Sequence, residues 1–165
     1  MSAISANACN AERTINPAVA KLDFSTVHRK LMDDGEGLGW TLEQCNDADR
    51  DYRRFLSLLL EYPSLKLVPT TIIDSFWHFH ILDTRKYFAD TYSLFGSYLH
   101  HDPNMGLEGI EDKKRLAQAF ELTKSLYEAR FGVSMGNDLQ RCGGNCRSCG
   151  GRVGEEALQS ASRSN

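Results

Sequence analysis

Residues 70–103, TTIIDSFWHFHILDTRKYFADTYSLFGSYLHHDP, hold four of the chain's five histidines and one of its two tryptophans. Pro69 and Thr70 open the stretch as a proline and a candidate N-cap would. Asp74, Trp77, His78 and Ile81 then recur at three- and four-residue steps, the period of a helix. Asp83 or Thr84 can cap a second helix, which carries Tyr87, Phe88, Thr91, Tyr92 and Phe95 along one side. Gly96 ends it, since glycine tolerates the positive φ of a helix C-cap. A loop with His100, His101, Asp102 and Pro103 follows.

Working outward, the same period continues on both sides. Upstream, Thr41 and Gln44 have capping-box spacing, and Leu42, Cys45, Tyr52, Phe55, Leu56 and Leu59 form an apolar stripe that stops before Pro63. Cys45 lies on that stripe and reads as a buried thiol. Leu22, Phe24, Val27 and Leu31 give a shorter helix, which Gly35, Gly37 and Gly39 separate from the next one. Downstream, Leu116, Phe120, Leu126, Tyr127 and Phe131 mark a last helix from about Ile110 to Phe131, closed by Gly132. No alternating β-branched run competes with this pattern. The reading is all-α: a compact bundle of four or five helices over residues 21–132. A flexible N-terminal segment, 1–20, precedes it, and a flexible Gly/Cys-rich tail, 133–165, follows.

The composition is that of an ordinary globular protein, with 165 residues, 41% of them hydrophobic and 25% charged. A formal charge of −3 offers no electrostatic footprint for nucleic acid or an anionic membrane. No apolar run has the ~18 residues of a membrane span, and MSAISANACNAERTINPA lacks the regions of a secretory signal. The expectation is a cytoplasmic protein whose cysteines are thiols or ligands rather than disulfides.

On a helix, Asp74 and His78 are neighbours on one face. The carboxylate can share a metal with the imidazole or accept its N–H and fix its tautomer. His80 lies about 200° around a regular helix from His78, on the side of Ile73 and Phe76, and joins the set only if the helix unwinds near Phe79. An antiparallel return after Phe95 brings His100 or His101 towards Asp74. Two or three imidazoles and one carboxylate suit zinc or iron, with Trp77 and Tyr87 shaping the pocket. Structural hydrogen bonding and metal-free acid–base chemistry use the same residues.

Asp74-x-x-Trp77-His78-x-His80-x-Leu82, then Tyr87-x-x-Asp90, then His101-Asp102, resembles the core motif of the glycine-rich domain-containing protein-like family. Thr84 stands where many relatives have proline, and Thr91 where some have cysteine; neither departure removes a candidate ligand. The resemblance implies a helical domain and favours His101 over His100 as the loop member. It implies no particular reaction.

Cys142-x-x-x-Cys146-x-x-Cys149 sits among glycines near the C-terminus. Three thiolates so spaced can wrap a second metal or a cluster, or serve redox chemistry. A glycine-rich tail with incidental cysteines has the same sequence.

Two functions follow from these residues. One is a metal-binding domain which, where its site is catalytic, uses activated water or dioxygen on a substrate the residues do not name, with a protein or a small molecule as partner. The other is a non-catalytic adaptor or metal-delivery protein, working through the helical core and the Cys/Gly tail on a protein partner.

Overall fold

A computed structural model describes residues 14–136. Six helices and no strand occur among them, so the fold is all-α. They are α1 (Pro17–Ala20), α2 (Ser25–Met32), α3 (Leu42–Glu61), α4 (Thr71–Leu82), α5 (Thr84–Phe95) and α6 (Ile110–Phe131). No helix here is long and apolar enough to cross a membrane.

The ends follow local chemistry. Thr41 and Gln44 form the capping box of α3, each side chain taking the other's main-chain N–H. Thr70 caps α4 and Asp83 caps α5. At Gly96, φ is +69°, a left-handed value that ends α5 and turns the chain towards the histidine loop. Gly37 matters for another reason. A Cβ there would stand 1.9 Å from the carbonyl oxygen of Lys30 and 2.5 Å from that of Asp33. Only glycine allows the α2–α3 loop to close so tightly on the end of α2.

The helix α3 is the centre of the bundle, packing against α1, α2, α4 and α6, while α4 also touches α2 and α5. Tyr52 and Phe55 of α3, Phe76 of α4 and Phe24 ahead of α2 are buried in one core. Phe24 meets Phe76 nearly edge-on at 5.4 Å, and Tyr52 lies 5.2 Å from Phe76. The helix α6 closes the other side of α3 with Phe120, Tyr127 and Phe131. Its Thr123 hydroxyl accepts the main-chain N–H of Val68 at 2.9 Å, tying the α3–α4 connection to this helix.

Helix α1 lies inside the segment that composition assigned to a flexible end, and residues 17–20 are a correction to that boundary. Asn16 accepts the N–H of Ala18, and Pro17 supplies a preset φ at the first helical position. Tertiary contacts hold the turn in place. Val19 is fully buried, and the Arg53 guanidinium donates to the carbonyls of Val19, Ala20 and Leu22. A single turn is too short to show periodicity, which is why the pattern missed it.

Candidate metal centre

The centre forms where the first turn of α4 meets the loop after α5. Asp74 sits in that first turn, where helix dipole and unpaired amides favour a carboxylate. One turn later, His78 places Nε2 3.6 Å from Asp74 Oδ2. From the loop, His101 brings Nε2 to 2.8 Å from Asp74 Oδ1. The two imidazole rings lie 4.7 Å apart at 65°. Each of the three residues offers a donor atom within 4.8 Å of the others. Metal–donor bonds of roughly 2.0–2.1 Å put donors about 3.0–3.4 Å apart, so small side-chain adjustments close the set on an ion.

Loop position is fixed by a chain of hydrogen bonds. Trp77 Nε1 donates to the Tyr87 hydroxyl at 2.8 Å, and that hydroxyl donates to the carbonyl of Leu99 at 2.6 Å. Leu99 is two residues before His101, whose ring also packs edge-on against Trp77 at 4.6 Å. Burial pushes the Tyr87 phenol up to about 12, although the Trp77 hydrogen bond pulls the other way. The phenol therefore keeps its proton and remains the donor that Leu99 needs.

Burial also lowers the pKa of His78, reinforced by His101 and opposed by Asp74. A neutral imidazole is the form that ligates metals. Asp74 and His101 further line a cavity of about 410 Å³, bounded by Leu59, Phe95 and Leu116 among others. Trp77 belongs to its wall; Tyr87 acts from behind, through the hydrogen bonds above.

Two of the predicted ligands go elsewhere. The helix is continuous through residues 71–82, so the unwinding that His80 needs to join the set does not occur. His80 is buried, and both of its ring nitrogens are engaged inside the protein, with the Tyr52 hydroxyl at 3.0 Å and Asp90 Oδ2 at 3.0 Å. Lys86 holds the same Asp90 oxygen at 2.8 Å. Burial raises the Tyr52 hydroxyl well above its usual range and lowers His80 to about 4. Tyr52 therefore donates to Nδ1, and neutral His80 donates from Nε2 to Asp90. This chain links α3, α4 and α5.

His100 is exposed at the cavity mouth and rests against Tyr98, 5.0 Å between centroids, outside the donor set. His28, on α2, pairs with Asp49 of α3 at 2.8 Å and packs edge-on against Phe76, outside the donor set. Cys142, Cys146 and Cys149 lie outside the described residues.

The sequence reading missed Tyr52 and Asp90 as partners of His80, and the carbonyl of Leu99 as the anchor of the loop. Lys86 and Asp90 at helical spacing gave a trace of the first. Nothing in the sequence marks a main-chain carbonyl.

Comparison with curated proteins and with solved structures finds no match. A family model described as UCP032817-like matches residues 18–125, more than half of the chain, including the three residues of the donor set and the helix and loop that carry them. The chain therefore belongs to the UCP032817-like family.

Proposed function

We propose that the protein is a metal-binding helical domain in which Asp74, His78 and His101 hold a zinc or iron ion beside the cavity. The observation that carries this reading is the convergence of one carboxylate and two imidazoles, from a helix and a separate loop, within 4.8 Å. Two imidazoles and one carboxylate leave coordination positions open. Because Asp74 and His101 belong to the cavity wall, those positions are reachable by a small molecule. The reaction class that fits is metal-activated water or dioxygen acting on that molecule. The motif's resemblance to the glycine-rich domain-containing protein-like family supports the choice of residues. Cys45 is a free, buried thiol, which suits the reducing cytoplasm.

An adaptor function is the second reading. Phe88 and Tyr92 support it, for they lie side by side on α5 at 4.6 Å, both about half exposed. A metal-free Asp74–His101 acid–base pair is an outcome that the same experiment can return.

The test is metal analysis of the full chain purified without chelators and without oxygen, followed by titration with Zn²⁺ and Fe²⁺. Uptake of one ion per chain, abolished in His78→Ala and Asp74→Asn but kept when the chain is cut after Gly132, is the expected result. No uptake overturns the reading. Uptake lost only on truncation moves the site to the cysteine tail. With metal retained, binding of azide or nitric oxide at the ion separates an enzyme's open site from an adaptor's closed one.

A further inference from the structure

We infer that the cavity beside the candidate centre takes a small molecule with an apolar body and a single oxygen-donor head, the head on the ion and the body along the cavity. This inference rests on the metal reading above. The cavity, about 410 Å³, falls within the range of roughly 300–1,000 Å³ typical of small-molecule sites. Asp74 and His101, with side chains 14% and 13% exposed, are among its lining residues and present the donor set. Along the wall stand Leu59, Leu67, Trp77, Phe95 and Leu116. The charged pair among the lining residues, Lys66 and Asp102, sits at the rim, with side chains 71% and 55% exposed and 3.6 Å apart. These two charges already face one another in water, so they place no charge requirement on the ligand's body.

A ligand matching that layout loses apolar surface to Leu59, Phe95 and Leu116 while its oxygens complete the ion's coordination. A sugar or a nucleotide matches less well: the lining offers Tyr62, Ser97, Tyr98 and His100 as polar partners but is mostly apolar, and each hydroxyl or phosphate left against Leu59, Phe95 or Leu116 carries a cost. The substrate class is therefore a short acyl or aryl compound with one carboxylate, hydroxamate-like or keto head.

The probes are alkyl hydroxamates from acetohydroxamate to octanohydroxamate, titrated into the full chain loaded with Co²⁺. The Co²⁺ absorption spectrum reports both uptake of the ion and arrival of the hydroxamate oxygens. Each added methylene buried in the cavity should tighten binding by roughly fourfold until the cavity is full. Leu65→Trp, at a partly exposed position on the rim, and Leu116→Phe, in the wall, should flatten that length dependence without changing Co²⁺ uptake. The Leu65 position is exposed enough to change without disturbing the core, and far-UV circular dichroism verifies folding of both variants.

The outcomes separate the two levels of argument. If Co²⁺ is not taken up, the metal reading fails and this inference falls with it. Co²⁺ uptake with equal affinity for short and long hydroxamates, or with no effect of either plug, overturns the cavity inference and leaves the metal reading standing. A length dependence that never alters the Co²⁺ spectrum also overturns it, because the head is then not on the ion.

Discussion

Tyr87 donates its phenolic proton to the main-chain carbonyl of Leu99, 2.6 Å away, and so sets the height of the loop that carries His101. The same oxygen accepts from Trp77, the neighbour of His78 in sequence. The two histidines of the donor set are thus referenced to one phenol, although 23 residues separate them in the numbering, from 78 to 101.

Tyr87→Phe tests this directly. It removes the anchor and leaves the Trp77 indole without its acceptor. Outer-shell partners of metal ligands typically account for about 10–100-fold in affinity, and a loss in that range is expected for Zn²⁺ by calorimetric titration. A buried donor left unsatisfied should also cost about 1–3 kcal/mol in denaturant unfolding. Unchanged Zn²⁺ affinity would mean that the loop holds His101 by other means.

His80 and His78 are two residues apart, and their variants should behave in opposite ways. His78→Ala should lose the ion with little change in stability, since His78 is partly exposed. His80→Ala should retain the ion, because His80 is outside the donor set. It should destabilise the fold by roughly 2–5 kcal/mol, through the cavity it leaves and the stranded Tyr52 and Asp90. Urea unfolding paired with metal analysis reads both quantities.

The buried state of His80 also gives stability a pH dependence. Burial holds its folded pKa at about 4, below the ordinary 6.5. Above pH 6.5 folded and unfolded chains are both neutral at this site. As the pH falls from there towards 4, the unfolded chain takes a proton that the folded chain refuses, so stability declines through that window. At ~1.4 kcal/mol per unit the loss is on the order of 3 kcal/mol. Denaturation midpoints at pH 7, 5.5 and 4, measured without metal, should show a slope that His80→Gln reduces. Equal slopes in the two proteins would remove His80 as its cause.

Thr123→Val keeps the shape of a buried α6 residue and removes the oxygen that accepts from Val68 N. The orphaned amide should cost about 1–3 kcal/mol. Since Val68 also lines the cavity, hydrogen exchange at its amide should quicken more than at the core of α3. Wild-type exchange at Val68 would show that the amide has another partner.

Much of this protein was legible in its sequence because helices are set by near neighbours. The capping box at Thr41 and Gln44, the caps at Thr70 and Asp83, and the left-handed end at Gly96 involve residues within about one turn of each other. The Asp74–His78 pair belongs to the same class, a consequence of 3.6 residues per turn. So does the separation of His80 from them, which follows from a helix that stays regular. What only the tertiary structure decided involves partners far along the chain. Arg53 holds α1 from more than thirty positions away, Tyr52 and Asp90 bracket His80 from two other helices, and the carbonyl of Leu99 ties the loop that carries His101 to Tyr87. Periodicity carries no information about which loop carbonyl a buried phenol will reach, and that contact helps to hold the loop from which His101 meets Asp74.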